Sequence, residues 1–285
     1  MINNLKFGTG WLRDYHDIRD YTTKSPKVAP LLKSSYIDIP NLGIPNLTTR
    51  PEYVDLRKNC SPIRSQGRIG SCVSFAVLGS FEYFQRKVSG SSEEMSPLFL
   101  YKITRNTMNL YHDSGSTVRA TIGALSMFGA CLEKNWAYIE DWVDEEPGPF
   151  QYAQAQNYKS LVYYRLDPPN IDKNVLLENI KTNLSKGIPI IAGFTLYPSF
   201  YYADSTGIIP EVGLNEQSWG GHSISIFGFS DEKQRLIVRN SWGEGWGDKG
   251  YCYLPYSYVT SGIMSDFWSI IKTSWVSTKD FTTES

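Results

Sequence analysis

The sequence predicts an α+β protein with an arm over residues 1–50, a helical part over 51–160 and a strand-rich part over 161–285. Three observations predict it. A long apolar helical face begins just after Ser71, two further segments carry helix start and stop signals before residue 130, and the second half is built of short apolar or alternating runs separated by turns. No self-similarity with a period of roughly 20 to 50 residues is present, which argues against a solenoid or propeller.

The arm is rich in proline, tyrosine and charge, and Pro26, Pro30, Pro40, Pro45 and Pro51 interrupt any helical or strand period. It reads either as a belt packed along the body or as an inhibitory segment that covers a cleft. Beyond Ser71, residues Val73, Val77, Phe81, Phe84 and Val88 recur at helical spacing and mark one helix that stops near Gly90. Ser96-Pro97 is an N-cap followed by a first-turn proline, opening a second helix through Leu98, Tyr101 and Arg105. A third runs from about Thr117 to Phe128 and stops at Gly129. An acidic, Pro/Gly-rich stretch from Asp141 to Pro149 follows, and its run Asp144-Glu145-Glu146 reads as a solvated loop.

From there the grammar is mixed. Leu161 to Leu166 is a strand candidate, Asp172 to Leu184 an amphipathic helix, and Ile188 to Leu196 an apolar buried strand. Ser223 to Phe227 alternates like a half-buried strand, Asp231 to Gln234 turns the chain, and Leu236 to Val238 returns. Tyr251 to Leu254 and Phe267 to Lys272 complete the set.

With 285 residues the chain can bury a sizeable core, so no staple is required. Its 28 Lys+Arg against 29 Asp+Glu form no block of one sign, which argues against a nucleic-acid partner. No apolar run reaches the roughly 20 residues of a membrane span. Met1 to Ser25 is interrupted by Lys6, Arg13, Asp14, Asp17, Arg19 and Asp20 and contains no signal-like stretch, so the expected setting is the cytoplasm or another reducing compartment, a virion included. Cys60, Cys72, Cys131 and Cys252 are few for a disulfide scaffold and form no CxxC pair, so no metal site or cofactor is expected and the three besides Cys72 read as packed thiols. Gly245 to Gly250 matches GxGxxG only in form, because a strand-like run follows where a dinucleotide site needs a helix.

The chemistry is carried by three positions. Cys72 stands at the first turn of the long helix, after a loop punctuated by Gly67 and Gly70, where free amides and the helix dipole favour a thiolate. A buried structural thiol is the alternative for a lone cysteine, and a base partner decides between them. His222 follows the pair Gly220-Gly221 at the start of a strand, and a strand–turn–strand hairpin returns Asn240 beside it, where a side-chain amide can fix the ring. His16 and His112 have no such neighbour and read as surface or packing residues. Gln66 could add a side-chain donor for an oxyanion.

These residues carry a resemblance. Gln66-Gly67, Gly70-Ser71-Cys72, His222 some 150 residues on, and Asn240-Ser241-Trp242-Gly243 through Gly247 and Gly250-Tyr251 resemble the papain family of cysteine peptidases over about Val54 to Lys272. The resemblance implies a helical left lobe and a β-barrel-like right lobe, with Cys72 and His222 facing each other across the cleft between them. It implies a cysteine endopeptidase that hydrolyses peptide bonds in protein or peptide substrates through a thioacyl-enzyme intermediate, without a cofactor. Gln66 would then supply an oxyanion donor, Trp242 would cover the His222–Asn240 pair, and Trp246 would line the leaving-group side. By motif order Gly115 and Ser116 fall where an extended substrate pairs with the backbone, and Gly193, Gly221 and Ser265 near the pocket for the second residue before the scissile bond, with room for a bulky apolar side chain. Two other readings use the same residues: a catalytically silent peptide-binding protein, and an acyltransferase or transglutaminase with a different acceptor.

Departures from the family pattern are informative. Ile69 replaces the disulfide cysteine usual before the nucleophile, Val73 replaces the following aromatic, and the helical pro-region of the secreted members is missing. This is similar to disulfide-poor forms in bacteria, archaea and large DNA viruses, which also open with segments such as Gly10-Trp11 and Arg19-Asp20-Tyr21.

Overall fold

The computed structural model describes residues 6–34, 50–203 and 205–273. Parts of the expected arm, 1–5 and 35–49 with Pro40 and Pro45, lie outside the described residues, as do 204 and 274–285.

In chain order, the arm carries α1 (Ala29–Ser34) and leads into β1 (Tyr53–Asp55). The helices α2 (Cys72–Ser89), α3 (Pro97–Thr107), α4 (Val118–Met127) and α5 (Pro149–Ala155) follow. The remainder runs β2 (Ser160–Arg165), α6 (Lys173–Ser185), β3 (Ile190–Thr195), α7 (Pro198–Tyr201), β4 (Gly221–Ser230), β5 (Arg235–Arg239), β6 (Tyr251–Pro255), α8 (Ser257–Thr260) and β7 (Met264–Thr273).

The predicted caps are made. Ser96 Oγ accepts from Phe99 N–H, Thr117 Oγ1 from Ala120 N–H, and Asp172 Oδ1 from the amides of Asn174 and Val175, each satisfying a donor the helix leaves open. Gly90 ends α2 in the left-handed conformation, φ +75°. The single apolar face expected for α2 is an understatement, since every residue from Cys72 to Gln85 is buried. Two of its polar members find partners inside: Glu82 takes Arg64 at 2.7 Å and Ser61 Oγ at 2.6 Å, and Ser80 reaches Ser225 at 3.4 Å. Val88 lies past the core and is exposed.

The sheet is antiparallel in the order β2-β7-β3-β4-β5-β6, with β1 pairing residues Gly228 to Ser230 of β4. β4 is the central strand, and Ala192 to Thr195 of β3 pair with Ile224 back to Gly221, placing His222 opposite Phe194. On the other side Arg239 pairs with Ser225, so the chain leaves β5 at Asn240 close to the start of β4. α2 packs across β4, with Ser225 Oγ donating to Ala76 O at 2.7 Å. Among the described residues no helix is long and apolar enough to cross a membrane, and no cluster of three or more His, Cys, Asp or Glu could hold a metal ion.

Candidate active site

The loop from Gln66 to Gly70 delivers Cys72 to the first position of α2, and side chains from neighbouring segments hold that loop. Both oxygens of Asp113 accept from Gly70 N–H, at 2.9 and 3.1 Å, while Tyr101 Oη donates to the same carboxylate at 2.7 Å. Tyr138 Oη gives its proton to Gln66 O at 2.8 Å, so in its 2.6 Å contact with Ser71 the serine hydroxyl must be the donor. The first amides that α2 consumes internally are those of Ser74 and Phe75, both bonding to Ser71 O, which leaves the amides before them for the site.

Cys72 is fully buried, and its thiol lies against the backbone amides of Ser223, Gly10 and Val73. Ser223 directly follows His222, so the sulfur meets β4 within one residue of the imidazole. Burial pushes the thiol up to about 12, with the three amides pulling only partly against it. The thiolate that the helix start favours is therefore not the resting species here, because the arm has excluded the water that an anion needs.

His222 is also fully buried, and its Nε2 lies 2.8 Å from Asn240 Oδ1. That oxygen also accepts from Ser241 N–H at 2.8 Å, which fixes the amide orientation. An acceptor on that side puts the ring proton on Nε2 and leaves Nδ1 bare, and Nδ1 has no hydrogen-bond partner. Burial holds the imidazole down to about 4, with the Asn240 bond raising it slightly. Trp242 covers the ring at 4.6 Å between centroids, and Phe194 and Phe200 close the other sides.

Gln66, buried as well, accepts from Ser241 Oγ at 2.6 Å and donates from Nε2 to Ile69 O at 2.8 Å. The same nitrogen donates to Gly8 O of the arm at 3.1 Å. The arm continues through the groove: Gly8 N–H bonds Gly67 O, the amides of Gly10 and Trp11 both reach Gly221 O, Ser116 N–H bonds Gly10 O, and Leu12 N–H bonds Ser116 O. Trp11 and Ser116 form a parallel bridge. At its start Phe7 stacks on Trp242, rings 5.1 Å apart and 5° from parallel. The groove admits the backbone this closely because it is lined with glycine. A Cβ at Gly115 would stand 2.3 Å from Gly10 O, and one at Gly221 2.3 Å from Trp11 O.

Thus Cys72, His222, Asn240, Gln66, Trp242, Gly115, Ser116, Gly193 and Gly221 converge on one groove. Trp246 stands one layer back, edge-on to Trp242 and with its N–H on Tyr201 O, and Phe7 rests on Trp242 instead. Ser265 pairs with Gly193 in the ladder, the residue on which the Trp11 ring lies, and its neighbour Asp266 adds a carboxylate that accepts from Trp11 Nε1 at 3.1 Å. A register shift between Ile191 and Gly193 and a left-handed Asp266, φ +55°, turn the strand by one residue there.

Sequence reasoning also missed the charges that hold the arm down. Arg119 pairs with Asp14 at 2.9 Å and Asp20 at 2.6 Å, and Arg165 with Asp20, Asp167 and Asp266. A charge such as Asp266 inside the apolar run from Met264 to Ile271 was the available signal. His16 is an exposed residue with its Nε2 2.6 Å from Asp167 O, and His112 is exposed beside Asp144. All four cysteines are free.

Residues 50–271 match the family described as papain family cysteine protease. A peptidase C1-like protein, L477, of Acanthamoeba polyphaga mimivirus is 33% identical over 92% of this chain and 86% of its own length. Cysteine proteinase 2 of Entamoeba histolytica is 27% identical over 76% of this chain and 67% of its own. The crystal structure of xylellain, a cysteine protease from Xylella fastidiosa, superposes with a TM-score of 0.75 at 29% identity, covering 93% of this chain and 96% of that one. With its fold, its glycine-lined groove and these relatives in agreement, the chain belongs to the papain family of cysteine proteases and is a hydrolase.

Proposed function

We propose that the protein is a cysteine endopeptidase acting through Cys72, His222, Asn240 and Gln66, and that residues 7–12 hold it closed. The observation that carries the chemistry is the imidazole whose Nε2 is pinned by Asn240 while Nδ1 is bare, one residue before Ser223, whose amide lies against the Cys72 thiol. With a peptide in the groove, Nδ1 takes the proton from Sγ and the sulfur attacks the carbonyl carbon. The oxyanion is received by first-turn amide and the Gln66 Nε2 donor. Nδ1–H then passes the proton to the departing amine, leaving a thioester. Water, deprotonated by Nδ1, displaces the sulfur and releases the acid.

The endopeptidase reading is supported by the arm itself, which runs across both sides of Cys72, so the groove takes chain on either side of a scissile bond. The arm's direction explains why it can remain uncut. Taking the Gly193–Gly221 pocket as the acyl side and Trp242 as the leaving-group side, a substrate runs from the pocket to Trp242. The arm runs the other way, from Phe7 on Trp242 to Trp11 in the pocket. Its Gly8 carbonyl occupies the Gln66 donor without presenting a correctly oriented peptide bond.

The test is peptide hydrolysis by the full-length chain and by Cys72→Ala, with products analysed in the presence of an added amine. Hydrolysed products from the first and none from the second are expected. Cleavage by Cys72→Ala, or amine adducts as the main product, would overturn the assignment.

A further inference from the structure

Trp11 is 8% exposed and lies so close on Gly193 that a Cβ there would stand 2.0 Å from its ring. The far wall of its pocket is polar. Asp266 Oδ2 accepts from Trp11 Nε1 at 3.1 Å and from Asp14 N–H at 2.8 Å. Its other oxygen, Oδ1, is committed to Arg165 Nη2 at 2.5 Å. Arg165 is fixed in turn by Asp167, its Nε donating to Oδ1 at 2.9 Å, and Asp167 also accepts the amides of Asp266 and Phe267 at 3.0 Å each. Asp266 is 0% exposed and the Arg165 side chain 2%.

The carboxylate therefore cannot swing, and it offers the pocket one oxygen, the other being held by Arg165. An aromatic ring with an N–H satisfies that oxygen. A phenyl ring leaves a buried acceptor unpaired, and a guanidinium or ammonium enters beside an existing cation. Burial pushes the Asp266 carboxyl up to about 6, so it is ionised at neutral pH.

We propose that this pocket selects, at the second residue before the scissile bond, a tryptophan-sized aromatic side chain bearing an N–H donor, with Asp266 as the specificity-determining acceptor and Arg165 excluding a basic side chain. The proposal rests on the peptidase reading above, and it departs from the bulky apolar preference that the small residues alone suggest.

The experiment uses the full-length chain carrying Gly10→Ala, which disturbs only the arm, and fluorogenic peptides differing at that one residue: tryptophan, 1-methyltryptophan, phenylalanine and arginine. Tryptophan should exceed 1-methyltryptophan and phenylalanine in kcat/KM by about tenfold or more, the cost of leaving a charged acceptor unpaired, with arginine lowest. Asp266→Asn should erase the tryptophan advantage, because its one oxygen is claimed by Arg165. If that variant does not fold, the 1-methyl comparison still reads the hydrogen bond without altering the protein. Equal rates for tryptophan and 1-methyltryptophan, or a preference for arginine, overturn the proposal. Should no peptide be cut, the peptidase reading fails and the pocket is read separately. Trp11→Phe in the otherwise unchanged chain should then speed iodoacetamide labelling of Cys72 about tenfold, and unchanged labelling counts against the pocket.

Discussion

Replacing Gly10 with alanine should open the site without touching a residue of the body. The added Cβ would stand 1.9 Å from Gly70 O and 2.4 Å from its carbonyl carbon, contacts that one side must relieve by more than an ångström. Gly70 cannot yield easily, since both oxygens of Asp113 hold its amide. The arm must leave register instead, forfeiting the bonds from the Gly10 and Trp11 amides to Gly221 O and from Ser116 N–H to Gly10 O. At about 0.5–1.5 kcal/mol each, three such bonds amount to roughly 2–4 kcal/mol, or about a 30- to 1,000-fold rise in the open population. The assay is the second-order rate of Cys72 alkylation followed by intact-mass spectrometry, with Tyr15→Ala at a fully solvated arm position as control. Peptide hydrolysis should rise by the same factor until the arm is mostly open. A change below about threefold would mean that the arm's register does not limit access, and the closed-form account would fall with it.

The remaining expectations concern the latch, the donor and the proton. Arg119→Ala strands Asp14 and leaves Asp20 only its 3.4 Å pair with Arg165, both carboxylates nearly buried, and should increase labelling about 30-fold or more, with new protease cutting around residues 12–20. In the Gly10→Ala background, Gln66→Ala should lower kcat about 10²- to 10³-fold if its amide receives the oxyanion, whereas a KM effect alone would assign it to binding. His222 is held down to about 4 while buried and returns toward 6.5 when hydrated, so opening takes up a proton. Its contribution to the closed form is complete above about pH 6.5 and is lost as pH falls through 4. Opening, read with a thiol reagent active in acid, should therefore rise toward tenfold per unit below 6.5. Asp266, raised to about 6, titrates with the opposite sign, and Asp266→Asn should steepen that rise.

What the sequence disclosed and what it hid divide along the range of the interactions involved. Ser96, Thr117 and Asp172 announce helices because each caps an amide two or three residues away, and Gly90 announces an end for a similarly local reason. The His222–Asn240 pair was legible because one hairpin spans it. The three-residue β1 and the seven-residue α5 that follows the acidic stretch carry too few residues to show a period. The arm's place was hidden more deeply. It is fixed by backbone amides, which are the same in every sequence, and by one indole whose acceptor lies 255 residues away. The arrival of Asp266 beside Ser265 at the pocket has a related cause, since strand alternation gives the facing residues only while the register is regular, and the bulge beside Gly193 breaks it.

The competition at Cys72 shows why covering the cleft does more than block it. A helix start stabilises an anion by about 0.3–1 kcal/mol, under one pK unit for an exposed thiol. Burial beneath the arm acts the other way by about three, from an ordinary 9.0 to about 12, while the imidazole falls to about 4. The proton therefore stays on sulfur by a wide margin in the closed form, and the ion pair the chemistry needs is not available even to a small electrophile that slips in. Withdrawing the arm restores water to both groups at once, raising the base and lowering the thiol together. One displacement of residues 7–12 thus supplies the groove, frees the Gln66 donor and reverses the order of proton affinities, so access and reactivity should be gained in a single step. Variants that open the groove partway, such as Arg119→Ala and Gly10→Ala, should accordingly fall on one line when alkylation rate is plotted against hydrolysis rate.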